Sequence, residues 1–166
     1  MFKKLIFVIV PLMFSMFGCS STPRTPVSIT PFEKIYEFSG IKKSQLFDES
    51  KKWALDAFMK ADTYNVVGFA DENTGIISGK YIYPAYDSGK LWYVDKVRCV
   101  LKIEVKDEKC RLTISAVEVH QTDSDVKETL WRAIYIDDIP KMRFQETCEK
   151  ISKDYEEYLK NDSSKW

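Results

Sequence analysis

Apolar and polar side chains alternate with period two from Phe32 to Phe38. Phe32, Lys34, Tyr36 and Phe38 fall on one side, Glu33, Ile35 and Glu37 on the other, and Gly40 closes the run, which predicts a strand. The period then changes. From Ser44, taken as the N-cap, Leu46, Phe47, Trp53, Ala54, Ala57, Phe58 and Ala61 recur at helical spacing. Asp48, Glu49, Lys51, Lys52, Asp56 and Lys60 fill the opposite side, so an amphipathic helix is predicted to about Ala61, with Trp53 and Phe58 in the core. Tyr64 to Ala70 is a short β-prone run. Asp71-Glu72-Asn73-Thr74-Gly75 is a turn whose glycine is free to take positive φ. Ile76 to Tyr83 resumes as a strand, with Gly79 marking a bulge or a close backbone approach, and Pro84 to Lys90 is a loop.

Trp92 to Val105 and Cys110 to Val119 predict a hairpin about a two-residue turn, Asp107-Glu108. Val105 then faces Cys110, Ile103 faces Leu112, Leu101 faces Ile114 and Cys99 faces Ala116, which makes one apolar face. Lys102, Glu104, Arg111 and Thr113 make the other, with Val100 an apolar exception. A slip of one residue would move the whole apolar set to the wrong face, so the pattern specifies the pairing. The register separates Cys99 from Cys110 by roughly 20 Å at ~3.3 Å per residue, whereas a disulfide needs Cα atoms within about 7 Å. Gln121 to Glu128 is a polar loop, and Leu130 to Ile136 fits either a sixth strand or a short helix. Asp137-Asp138-Ile139-Pro140 breaks the chain before a helix from Met142 to Leu159, where Phe144, Cys148, Ile151, Tyr155 and Leu159 draw one stripe. Residues 161–166 form a polar tail. The order β-α-β-β-β-β-α predicts a single α+β domain over residues 32–160, its antiparallel sheet packed on both helices by one face.

The start of the chain follows a different pattern. Met1-Phe2-Lys3-Lys4 is basic, and Leu5 to Phe17 is apolar apart from Ser15 and interrupted by Pro11. That run is shorter than the roughly 20 residues a bilayer-spanning helix needs, and with Gly18 it has the anatomy of an export signal, residues 1–18. Gly18-Cys19-Ser20-Ser21 resembles a lipobox, although Met16 and Phe17 stand where such boxes usually carry Leu and a small residue. The resemblance implies an acylated Cys19 (palmitate among its chains) as the new N-terminus. Ser20 resembles a residue that permits sorting to the outer membrane where the host has one. An uncleaved anchor helix with an incidental cysteine is the alternative. Residues 19–31, rich in Ser, Thr and Pro, read as an extended tether.

Composition narrows the function classes. The 166 residues are 45% hydrophobic and 30% charged, which is globular. Loss of Lys3 and Lys4 with the signal leaves 23 basic against 25 acidic side chains. That balance lacks the basic excess of a phosphate-backbone binder, so no nucleic-acid partner is expected. Cys99, Cys110 and Cys148 read as buried small hydrophobes, and any disulfide must involve Cys148.

Candidate chemistry is sparse. His120 is the one histidine; Asp123 and Asp125 follow it, which suggests an enzyme or metal-dependent site but falls short of a zinc ligand set. No nucleophile-elbow signature accompanies it, and no Gly-rich phosphate loop or cofactor motif is seen. Asp71-Glu72 and Asp137-Asp138 read as turn chemistry rather than as paired acid and base. Tyr81, Tyr83, Tyr86, Trp92 and Tyr93 crowd around one loop and suit a shallow binding platform. Strand propensity and core packing are the competing account of the same residues.

Phe38-Ser39-Gly40, Ser44, Leu46-Phe47 and Trp53, followed by Asp71-Glu72-Asn73-Thr74-Gly75-Ile76-Ile77-Ser78-Gly79-Lys80 and the hairpin of Leu101–Val105 with Arg111–Ile114, resemble a bacterial family of unknown function with a TATA-binding-protein-like fold. The resemblance covers Phe32 to Val119. It implies that fold, implies export or lipid anchoring for many members, and carries over no catalytic residue and no DNA binding. The expectation is a non-catalytic envelope lipoprotein that binds a protein, peptide or glycan partner and is held to the membrane by its N-terminal lipid. The enzyme reading around His120 stands as the alternative.

Overall fold

The computed structural model describes residues 24–61, 66–85, 92–123 and 129–163. The signal segment, Cys19, Tyr86 and Asp125 therefore lie outside the described residues. Among the described residues, six strands, three α-helices and a 3-10 turn follow one another: β1 (Phe32–Glu37), α1 (Lys43–Ala61), β2 (Val66–Asp71), β3 (Ile76–Pro84), β4 (Trp92–Lys106), β5 (Lys109–Asp123), β6 (Thr129–Arg132), the 3-10 turn (Ile136–Asp138), α2 (Ile139–Met142) and α3 (Phe144–Ser163). The sheet runs β1-β5-β4-β3-β2, all neighbours antiparallel. β4 occupies one edge of β5 along its length, so β1 and β6 share the other, β1 at Lys109–Ile114 and β6 at Val119–Thr122.

The hairpin register is the one its apolar pattern specifies: Val105↔Cys110, Ile103↔Leu112, Leu101↔Ile114 and Cys99↔Ala116. Those side chains join the buried core with Ile77, Val97 and Val119, under the two long helices. The stripe Phe144, Cys148, Ile151, Tyr155 and Leu159 is buried throughout, as are Leu46, Phe47, Trp53 and Ala54 of α1. The helices therefore cover one face of the sheet.

Two local expectations are corrected and two are made specific. Lys42, not Ser44, is the N-cap of α1: its carbonyl accepts from Leu46 N (3.1 Å), and the Lys43 amide is capped in trans by Asp107 Oδ1 at 2.8 Å. A carboxylate suits this position because the exposed amides of a helix start carry partial positive charge. The bulge expected at Gly79 lies across from it, on β2: the register shifts at Gly68, between Val67, which pairs with Gly79, and Phe69, which pairs with Ser78. The unassigned Leu130–Ile136 segment resolves into β6 and the approach to the 3-10 turn. The C-terminal helix does not run unbroken from Met142: Arg143 at φ 46° separates α2 from α3, which extends through Ser163 and so takes in the first residues of the expected tail.

One end of the sheet is fastened by three turns. The Glu108 carbonyl accepts from Phe38 N (2.8 Å), Glu108 N donates to the Ile41 carbonyl (3.0 Å), and Gly40 N donates to Glu108 Oε1 (2.7 Å). Lys43 Nζ reaches the Asn73 carbonyl at 2.8 Å, and Val105 N donates to the Gly75 carbonyl at 2.7 Å. The segments that carry the family resemblance thus meet in space. At the other end, Val27 and Ile29 of the segment read as tether already pack against the core, with Val27 N donating to the Ile134 carbonyl at 2.9 Å. Among the described residues, no helix is long and apolar enough to cross a membrane.

Candidate functional site

Residues paired across a sheet share a face, so the register lays out the face that the helices leave open. One rung runs Phe69–Ser78–Lys102–Thr113–Glu33 and the next Asp71–Ile76–Glu104–Arg111–Ile35, each across five strands; a third runs Val66–Lys80–Val100–Ser115. Phe69 (51%), Ile35 (62%) and Val100 (38%) are exposed on it. Charges knit the centre: Glu104 bridges Lys102 Nζ (3.1 Å) and Arg111 (2.7 Å). Partial burial alone would raise the Glu104 carboxyl, but the bonds from Lys102 and Arg111 outweigh it and hold the group below the usual carboxylate range. The surface is a mixed field of apolar and charged side chains, with Lys80 exposed beside Val100.

His120 lies on the same face in the rung Pro84–Lys96–His120–Trp131. Its ring sits 5.0 Å from that of Trp131, and the Arg98 guanidinium lies 3.9 Å over the other ring system of the pair, Trp131, while also pairing with Glu118. Trp131 is therefore flanked by Arg98 and His120, a cation–π arrangement that joins β4, β5 and β6. Asp123 stands near the end of β5, opposite Trp92, and Asp125 lies outside the described residues. Among the described residues, no three His, Cys, Asp or Glu side chains are grouped to hold a metal ion.

The aromatic platform needs correction at two positions. Tyr81 pairs with Cys99 and Tyr83 with Val97, and that parity turns both toward the helices. Tyr83 is buried, its hydroxyl donating to the Met142 carbonyl at 3.1 Å, and Tyr81 is half-buried against the core. Burial raises both phenols. Tyr83 fastens β3 to the inner layer, and Tyr81 shares its inward face, so neither belongs to the open face of the sheet. Trp92 and Tyr93 open β4 opposite Asp123 and Thr122, and Tyr86 lies outside the described residues.

Hydroxyl and thiol groups gather under the helices. Tyr36 Oη lies 2.8 Å from Ser152 Oγ and donates to the Ser152 carbonyl at 3.0 Å. Ser50 Oγ donates to the Leu46 carbonyl at 2.5 Å and lies 2.7 Å from Tyr155 Oη, which also meets Cys110. Trp53 Nε1 donates to Asp154 Oδ2 at 2.8 Å, and the Tyr155 ring packs between Tyr36 (5.2 Å, edge-on) and Trp53 (4.7 Å). Cys99, Cys110 and Cys148 are free and buried, and burial pushes all three thiols up, Cys148 to about 12. A thiol that stays protonated is a poor nucleophile, so these groups act as internal fasteners between α1, α3 and the sheet.

The family model described as "Domain of unknown function (DUF4468) with TBP-like fold" matches residues 32–120, which span β1 to β5. Among solved structures, a DUF4468 family protein from Bacteroides ovatus is similar at 17% identity and TM-score 0.53, over 75% of this chain and 81% of that one. A TBP-like protein from Parabacteroides distasonis is similar at 14% identity and TM-score 0.56, over 79% and 92%. At such identities the likeness shows the fold alone. A search of curated proteins found no match.

Proposed function

Because the chain belongs to the DUF4468 family, whose fold is TBP-like and whose function is unknown, we propose a function from its own residues: an exported protein, anchored by lipid at Cys19, that binds a protein partner on the open face of its sheet and performs no catalysis. The anchor places it in the cell envelope, at the outer membrane where the host has one. The observation that carries the binding half is the three-rung face itself. It sets Phe69, Val100 and Ile35 in water among Lys80, Lys102, Arg111 and Glu104, on the side away from the helices. Apolar surface rimmed by polar groups is a feature of interaction sites, and this face interleaves the two across three rungs. His120 contributes there as one side of the Trp131 stack.

Photo-crosslinking in cells tests this. A benzophenone amino acid replacing Val100 or Phe69 should give one discrete adduct, and the same group replacing Asp48, exposed on α1, should give none. No adduct from either sheet position, or the same adduct from all three, would remove the open face as the binding surface.

A further inference from the structure

The N-terminal segment leaves the domain beside the link between β6 and α2, where Val27 N donates to the Ile134 carbonyl. Cys19 stands eight residues before Val27. Whatever path the chain takes, eight residues span at most about 29 Å. An acyl group on Cys19 would therefore keep this end of the domain within that reach of a bilayer. Two residues beyond Ile134, Ile136 is 68% exposed, and Ile139 is 43% exposed. They are three apart in consecutive helical turns, a spacing that puts them on one side. Their support is firm. Arg132 holds the buried Asp138 through two bonds, Nη1 to Oδ2 at 2.7 Å and Nη2 to Oδ1 at 2.9 Å, and Tyr135 N donates to Oδ2 at 2.9 Å. Burial would raise the Asp138 carboxyl, but the Arg132 and Tyr135 bonds outweigh it and keep it below its ordinary range, charged and paired.

We propose that this edge, with Ile136 and Ile139 at its tip, is a membrane-contact surface that seats the domain on the lipid bilayer holding its own anchor. The proposal rests on lipidation at Cys19. The acyl chains hold the chain to the bilayer but leave the domain's orientation open, and apolar side chains buried at the headgroup boundary add binding and fix that orientation. The chemistry fits the headgroup boundary rather than the hydrocarbon interior. Arg24 and Lys141 suit anionic headgroups, while the exposed Asp137 between the two isoleucines limits depth. The open sheet face is then left for the partner.

The test uses the full chain carrying Ile136→Cys or Ile139→Cys, purified from bacterial membranes and labelled with bimane; Cys99, Cys110 and Cys148 are buried and take no label. The protein is reconstituted into phosphatidylethanolamine–phosphatidylglycerol vesicles containing brominated lipid. At least twofold quenching is expected at 136 and 139, and none for Ile35→Cys, equally exposed on the open face. Mass spectrometry of the same sample reads the acyl group on Cys19. Acylated protein without quenching at 136 and 139 overturns the contact surface and leaves the anchor standing. An unmodified Cys19 overturns both.

Discussion

Gly75→Ala should be among the most damaging single-methyl additions to this protein, because Gly75 is a buried turn residue. Gly75 holds φ 72°, its amide donates to the Asp71 carbonyl at 2.8 Å, and its carbonyl accepts from Val105 N at 2.7 Å. A Cβ placed there would lie 2.3 Å from the Val105 carbonyl oxygen and 2.7 Å from Lys43 Cε. The lysine can swing away, but the Val105 carbonyl belongs to the central hairpin and cannot. The left-handed backbone costs an alanine about 1–2 kcal/mol. Relieving the clash breaks the Val105–Gly75 bond and strands a buried amide, for about 1–3 kcal/mol more. The total is about 2–5 kcal/mol, or a fall in Tm of roughly 5–20 °C for a domain of this size. Gly40→Ala is the control. Gly40 has φ 81° with nothing within 4 Å of its Cβ position, so it bears the backbone strain alone. Thermal and urea unfolding followed by circular dichroism compare the two. Equal losses, or a Gly75→Ala variant within about 2 °C of the parent, would show that the three-turn junction is not a rigid closure.

The remaining predictions concern the inner layer. Ile151→Asp places a charge in the α3 stripe and should cost several kcal/mol, on the order of 3–5; an unchanged urea midpoint would show that α3 does not cover the sheet. Tyr155→Phe removes the hydroxyl shared with Ser50 and Cys110 and should cost about 1 kcal/mol with the fold intact by near-ultraviolet dichroism. The three thiols should resist alkylation at pH 8 until the protein is unfolded, and peptide mapping without reductant should find no Cys99–Cys110 crosslink. Stability should also fall on the alkaline side. Burial raises Cys148 and Tyr36 each to about 12, so the unfolded chain sheds these protons first; the contribution is complete below pH 9 and is lost as pH climbs toward 12. Urea midpoints that stay level from pH 8 to 11 would contradict it.

How much could be read before the structure depended on the range of the interactions. The β4–β5 register was legible because four apolar pairs agree on one alignment and a slip exposes all of them. The α3 stripe was legible because its spacing is local. Tyr81 and Tyr83 were misplaced because their face depends on the pairing of β3 with β4 across a loop, which alternation within β3 alone cannot set. Capping of α1 by Asp107 joins residues 64 apart, and Arg98, His120 and Trp131 meet only once β6 has docked, so neither leaves a local signal. β6 is four residues long and too short for its period to separate strand from helix.

Lipid anchoring at Cys19 can be read by intact-protein mass spectrometry of the chain isolated from bacterial membranes, beside Cys19→Ser. The parent chain should be cleaved after Gly18, carry acyl groups on Cys19 and sediment with membranes, and the Cys19→Ser chain should be unacylated and released into the soluble fraction. A parent chain without acyl mass, or a Cys19→Ser chain that partitions with membranes as the parent does, would contradict it.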